Sequence, residues 1–242
     1  MAADKSGPAA RTVLLKLSGE ALGGPDGAGI HVSAIQSIAA QVAEVNRSGV
    51  RVAVVLGGGN LWRGAEKELD GFDRTTADYM GMLATVMNAI AFQTVLERMG
   101  VESRVMSAIE LHQLCERYIR RRALRHLDKG RVVIFAGGTG NPYFTTDSAA
   151  ALRALEISAD ALYKATKVRG VYSADPVKVP DAQFFPRLTY KEVLERGLRV
   201  MDSTAISMCM DHDLPVIVFD MNEPGNIRRA LLGEDVGTSV GT

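Results

Sequence analysis

RVVIFAGGTGNPYFTTDSAA, residues 131–150, decides the fold. Residues 131–136 form an almost unbroken apolar run, rich in β-branched side chains, which reads as a strand buried on both faces. Gly137 and Gly138 end it. Thr146 and Asp147 then open a helix to residue 156, since hydroxyls and an acid suit a helix start. The same alternation recurs along the chain. Residues 12–17 (TVLLKL), 51–56 (RVAVVL) and 215–219 (PVIVF) read as strands, with shorter ones at 103–106 and 161–165. Helical spacing marks residues 33–47, 75–99, 111–127, 190–195, 204–211 and 226–232, and the segment 111–127 carries a basic face. This is an α/β pattern, implying a mostly parallel sheet covered on both faces. Ligands in such sheets sit beyond the carboxyl ends of the strands, where this chain places its glycines.

The 242 residues are 47% hydrophobic, enough for a sizeable core, and no repeat or low-complexity linker divides them. With 28 basic and 28 acidic residues there is no global field to attract nucleic acid or a membrane surface, so any bound anion must be met by local charge. Cys115 and Cys209 lie far apart and outside metal-ligand spacing, which predicts buried free thiols. The first residues, MAADKSGPAAR, hold no apolar stretch, and no apolar run approaches the ~20 residues of a membrane span. A cytoplasmic protein is expected.

Four loops carry chemistry. Lys16, Leu17, Ser18 and Gly19 end the first strand. A lysine in an apolar strand needs an anionic partner, and at the strand exit its ammonium can meet a phosphate as a point charge. Gly57, Gly58 and Gly59, followed by Asn60 and Arg63, leave backbone N–H groups open to an anion. They do not fit the dinucleotide pattern G-x-G-x-x-G, because Trp62 stands in place of the third glycine. Residues 137–147 combine free N–H groups, hydroxyls and the aromatic pair Tyr143 and Phe144, which can stack on a base. Asp147 either caps the helix or orients Lys16. Residues 164–176 bring Lys164, Thr166, Lys167, Tyr172 and Asp175. There Tyr172 can lie along an adenine, a lysine can meet the transferred phosphate, and Asp175 can accept from a ribose hydroxyl or help hold Mg2+. No G-x-x-x-x-G-K-[ST] occurs, so phosphates must be held by separated loops meeting around one shared pocket.

In this order the segments KLSGEAL, GGGNLWRG, DYMGMLATVMN, GTGNPYFTTDSAA and KATKV-GVYSADP resemble the bacterial uridylate kinases of the amino acid kinase superfamily, over about residues 13–237. The resemblance implies a single kinase domain built as a three-layer α/β/α sandwich. A lobe of residues 10–160 would mainly bind UMP, and one of residues 161–242 would mainly bind ATP. It implies γ-phosphoryl transfer from ATP to UMP with Mg2+ in pyrimidine nucleotide biosynthesis, a homohexamer, activation by GTP and inhibition by UTP. Carried over by position, Lys16, Leu17, Ser18, Gly19, Gly59, Arg63, Thr166, Tyr172 and Asp175 would contact ATP. Gly58, Asp78 and the run Thr139, Gly140, Asn141, Pro142, Tyr143, Phe144, Thr145 and Thr146 would contact UMP. Lys16, Asp147, Lys164 and Asp202 would serve catalysis. The stretch Gly24, Pro25, Asp26, Gly27, Ala28 and Gly29 would respond to the activator. One departure stands out: the family usually reads VDG where this chain has Val168, Arg169 and Gly170.

Two rival readings share the scaffold: a kinase for carboxylates such as aspartate or acetylglutamate, and a nucleotide-binding protein without turnover. Relatives of the first kind lack TGNPYFTTD in this form. The second would be expected to lack Lys16 or Asp147, and both are present.

Overall fold

The computed structural model describes residues 11–62 and 71–242. Along them run β1 (Thr12–Leu17), a tight helical turn (Gly19–Leu22), α1 (Val32–Arg47), β2 (Arg51–Leu56), α2 (Arg74–Arg98) and β3 (Ser103–Ser107). Then come β4 (Glu116–Arg117), α3 (Arg120–Asp128), β5 (Val132–Ala136), α4 (Thr146–Glu156), β6 (Ala161–Thr166), β7 (Val171–Tyr172) and β8 (Phe184–Phe185). The last elements are β9 (Arg187–Thr189), α5 (Tyr190–Glu195), α6 (Ser203–Asp211), β10 (Val216–Asp220), α7 (Asn226–Leu232) and β11 (Gly237–Gly241).

Among the described residues nine strands form one sheet in the order β4-β3-β5-β2-β1-β6-β10-β11-β9. Every neighbouring pair is parallel except β10 with β11. β7 and β8 pair separately and antiparallel. Strand side chains alternate between faces, so β1 feeds two cores. Val13, Leu15 and Leu17 join α1, α2 and α7 on one face, through residues such as Ile35, Phe92 and Leu231. Leu14 joins α3, α4 and α6 on the other, through Leu127, Ala150 and Ile206. The result is the expected three-layer α/β/α sandwich.

Local chemistry sets the helix ends. The Asp73 carboxylate accepts from Thr76 N at 3.0 Å and starts α2. Thr145, rather than Asp147, caps α4, and Gly233 closes α7 at a φ of 93°. By length and hydropathy α2 could span a bilayer, yet half of that window is buried, and it packs on α1, β3 and β5 as a core helix.

Two sequence expectations are corrected. The helix expected over 111–127 begins only at Arg120. Tyr118 N instead donates to Ser107 O, and Glu116 and Arg117 extend the sheet beside β3. The strands β7, β8 and β9, of two or three residues, and the glycine-bounded β11 between β10 and β9 were not anticipated. Both cysteines are unpaired, with Cys209 buried and Cys115 half-buried.

Phe92 on α2 is fully buried where α2 meets the sheet. Replacing it with alanine is expected to cost about 3–5 kcal/mol. Urea unfolding measures this; a loss below about 1 kcal/mol would contradict the packing described.

Candidate active site

Register dictates the centre of the site. β1 and β6 are adjacent and parallel, with Lys16 directly opposite Lys164. Both lysines follow the alternation of Leu14 and Leu162 and so lie on the face covered by α4. Two ammonium groups on neighbouring strands repel, and burial makes the repulsion worse. The first turn of α4 supplies the remedy. Asp147 Oδ1 lies 2.8 Å from Lys16 Nζ, and Asp147 Oδ2 accepts from Lys164 Nζ at 2.7 Å. All three side chains are 11–16% exposed. Burial alone would raise the Asp147 carboxyl, but the two lysines outweigh it and hold the group below the usual carboxylate range. Burial pulls the Lys164 ammonium down, and Lys16 adds to this while Asp147 opposes it. Lys164 Nζ also donates to Val200 O at 2.6 Å. Lys167 is differently employed, in an ion pair with Glu20 at 2.6 Å.

Two cavities are formed by the loops that carry the other expected contacts. The first, of about 300 Å³, is lined by Gly58, Gly59, Asp78, Thr139, Phe144, Thr145 and Thr146, with Glu20, Trp62, Arg74 and Thr85 among the others. The second, of about 500 Å³, is lined by Val168, residues 170–176, Lys178 and residues 197–199, including Tyr172 and Asp175. Expected contacts of residues 58–146 thus gather in one cavity and Tyr172 and Asp175 in another, which corrects the single shared pocket. Neither lining includes Lys16, Asp147 or Lys164, but chain neighbours tie the cluster to each. Asp147 follows Thr146 of the first cavity, and Val200, which accepts from Lys164, follows Arg199 of the second.

The first cavity has an organised polar wall. Arg74 Nε donates to both oxygens of Asp78, at 2.8 and 2.9 Å, and Tyr143 N donates to Asp78 Oδ2 at 2.7 Å. Phe144, 49% exposed, presents an apolar face to the cavity. Gly140, Asn141, Pro142 and the 69% exposed Tyr143 fall outside its lining, in the loop beside it. Asp202 caps α6, accepting from Ala205 N at 2.9 Å, and also accepts from the Thr145 hydroxyl and from Ser148 Oγ at 3.0 Å. It therefore ties the start of α4 to α6.

Gly19 lies against the glycine turn so closely that a Cβ there would sit 2.6 Å from Gly59 N, which brings the β1 exit and residues 57–59 together. Leu17 is core, Ser18 accepts from Glu20 N at 3.3 Å, and Thr166 donates to Val168 O at 2.7 Å. Residues 24–29 form a turn tied to the same glycines. Gly29 N donates to Asn60 O at 2.9 Å, and Asn60 Nδ2 returns a bond to Gly29 O at 2.6 Å. Pro25, Asp26 and Ala28 are exposed on it. Arg63 lies outside the described residues. Arg169 stacks 4.3 Å over the Phe184 ring and faces a separate cavity with Arg11 and Arg187, so it does not replace an acid inside the second cavity.

Arg74, Glu20 and Thr85 escaped the sequence reading. The i,i+4 spacing of Arg74 and Asp78 was a legible signal for one of them. No histidine lines either cavity, so proton transfer by imidazole is not built into the arrangement. Its means are fixed positive charge, backbone dipoles and two separate binding spaces, means that suit phosphoryl transfer.

The amino acid kinase family model matches residues 11–220. The crystal structure of UMP kinase from Bacillus anthracis is similar at a TM-score of 0.92 and 39% identity, covering 96% of each chain. UMP kinase from Ureaplasma parvum is similar at 0.91 and 35% identity, covering 96% of this chain and 99% of its own. Uridylate kinase from Archaeoglobus fulgidus is similar at 0.72 and 29% identity, covering 95% and 99%. The nine-stranded sheet, the family match over most of the length and the near-complete overlap with these kinases agree: this chain belongs to the amino acid kinase family.

Proposed function

We propose that this phosphotransferase moves the γ-phosphoryl group of ATP to UMP, giving UDP and ADP, in pyrimidine nucleotide biosynthesis. The observation that carries the reading is the buried Lys16–Asp147–Lys164 cluster, in which Asp147 follows Thr146 of the first cavity and Lys164 bonds Val200 beside Arg199 of the second. UMP occupies the first cavity, with Asp78 toward its ribose and residues 139–146 around it. ATP enters by the second, its base beside Tyr172 and its phosphates reaching Lys16 and the Gly57–Gly59 turn. In support, the first cavity is lined only by residues 20–146 and the second only by residues 168–199. That division matches an acceptor lobe (10–160) and a donor lobe (161–242) within one kinase domain. The resemblance to UMP kinases selects UMP over carboxylate acceptors.

A phosphate oxygen of UMP forms the new bond to the γ-phosphorus as the bond to the ADP oxygen breaks. That oxygen is ionised near neutral pH, so no strong general base is required. Lys16 and Lys164 offset charge on the moving group, and Asp147 aims both and favours the charged form of Lys164. Thr145 and Asp202 hold the start of α4, and with it Asp147, in place. Among the described residues no group of three or more His, Cys, Asp or Glu gathers. Asp147 is already engaged by two lysines, so this donor set fits a Mg2+ carried by the ATP phosphates and water rather than a protein cage. Bound that way, it neutralises phosphate charge.

The same reading includes a cytoplasmic homohexamer, activated by GTP through residues 24–29 and inhibited by UTP. Tyr79, Leu83 and Met87 form an exposed apolar stripe at i, i+4 and i+8 on α2, a face suited to another copy of the chain. The bonds of Asn60 to Gly29 give the 24–29 turn a direct line to the glycine turn.

Lys16→Ala should lower kcat for UDP formation at least about 100-fold, the scale of a lost charge stabiliser; a near-normal rate would remove Lys16 from the mechanism. Asp78→Ala should raise KM for UMP far more than KM for ATP; equal changes would place the acceptor elsewhere. An ADP-release assay with UMP, CMP, aspartate and acetylglutamate tests the assignment itself. Turnover only with UMP is expected, and turnover with a carboxylate, or none at all, would overturn it.

A further inference from the structure

The two glycine loops leave neighbouring strands at the same level. β2 and β5 pair in parallel with Val55 opposite Phe135, so two residues on Gly57 stands beside Gly137. Beyond that point the sheet no longer holds them. Gly137, Gly138 and Gly140 all have positive φ, and without Cβ atoms they are poorly restrained by their own chemistry. Yet the reaction needs the acceptor loop and the donor-phosphate turn at one fixed separation.

Helix α2 lies against both loops and contacts each through a buried polar side chain. Thr85 Oγ1 accepts from Gly137 N at 2.8 Å and donates to Met82 O at 2.6 Å. Three residues on, Asn88 Nδ2 donates to Gly57 O at 2.7 Å. The same amide pairs reciprocally with the Asn60 side chain, at 2.7 and 3.0 Å. Thr85 is 5% exposed and Asn88 is fully buried, so these bonds do not compete with water. The turn also rests directly on the helix: a Cβ on Gly58 would lie 2.8 Å from Gly81 O and 2.9 Å from Ala84 Cβ. One turn further toward its start, α2 carries Asp78, which holds Tyr143 N of the same acceptor loop. A single rigid element thus anchors both sides of the site.

We propose that Thr85 and Asn88 are positioning residues for phosphoryl transfer. Thr85 fixes the acceptor loop through the Gly137 amide, and Asn88 fixes the donor turn through the Gly57 carbonyl. Their spacing on α2 sets the distance between the two substrates. Neither needs to touch a reacting atom, because the polar atoms in question are already committed to backbone. The proposal rests on the UMP kinase reading above for the identity of the substrates.

The test uses the full chain with Thr85→Val, Thr85→Ser and Asn88→Ala. UDP formation is followed with UMP and ATP varied separately, beside thermal unfolding. Thr85→Val should raise KM for UMP about 10-fold or more and leave KM for ATP within about threefold. Thr85→Ser, which keeps the hydroxyl, should restore most of the loss. Asn88→Ala frees a turn that lines the first cavity through Gly58 and Gly59 and is proposed to meet the ATP phosphates, so it should raise KM for ATP well beyond the change in Thr85→Val, with KM for UMP rising as well. A parental KM for UMP in Thr85→Val, a parental KM for ATP in Asn88→Ala, or both KM values rising together in Thr85→Val in step with a lowered unfolding temperature, would overturn the proposal. If Asn88→Ala fails to fold, the Thr85 pair decides alone. If the parent chain forms no UDP, it is the substrate reading that fails, and amide exchange then tests the anchor directly. Exchange at Gly137 about 10-fold faster in Thr85→Val would uphold it, and unchanged exchange would overturn it.

Discussion

Two lysines placed side by side by strand register, and held there by one aspartate, are the constraint on which the site depends. The parallel pairing of β1 with β6 leaves Lys16 and Lys164 no choice but adjacency on the same face. Without Asp147 the sheet would carry two buried, mutually repelling charges at its centre, which is costly in any low-dielectric setting. With Asp147 the cluster is a net positive centre that is stable in the empty protein and well matched to a polyphosphate. The folding problem and the chemical problem share one solution, because the group that makes the lysines tolerable also aims them.

Around that centre the fold arranges backbone rather than side chains. The glycine turn after β2 and the glycine loop after β5 bring N–H groups and hydroxyls to the strand ends, and α4 begins where the second loop stops. Asp202 on the adjoining helix braces the start of α4 through Thr145 and Ser148. One cavity is lined by residues between 20 and 146 and the other by residues between 168 and 199. On the proposed reading donor and acceptor are held by different parts of one sheet, and their alignment is as good as the rigidity between those parts.

Much of this was legible in the sequence, for identifiable reasons. Continuous apolar runs such as those of β2 and β5 announce strands buried on both faces, and Lys16 inside one of them announces a partner. The helices α4, α5 and α7 were bounded by hydroxyls and glycines that cap as chemistry requires. What failed was non-local. The apolar spacing over 111–127 is helical, but pairing with β3 claims Glu116 and Arg117, and no local signal records that competition. The short edge strands have too few residues to show a period. Asp147 reads either as a helix cap or as the acid that orients Lys16, and local sequence does not choose between them. The tertiary structure does, with Thr145 capping while Asp147 turns inward to both lysines. Thr85 and Asn88 were invisible for the same reason, as polar residues in an apolar helix whose partners lie 31 to 52 residues away. The division into two cavities likewise depends on how residues 197–200 fold back beside the fourth loop.

The most direct measurement is the pH dependence of UDP formation by Asp147→Asn beside the parent chain. Asn keeps the shape but removes the charge that opposes the downward pull of burial and of Lys16 on the Lys164 ammonium. The account predicts a sharply reduced kcat and an alkaline limb of kcat/KM displaced to lower pH, as Lys164 loses its proton earlier. A variant with the parental rate and the parental alkaline limb would show that Asp147 does not hold Lys164 charged, and the central claim would be wrong.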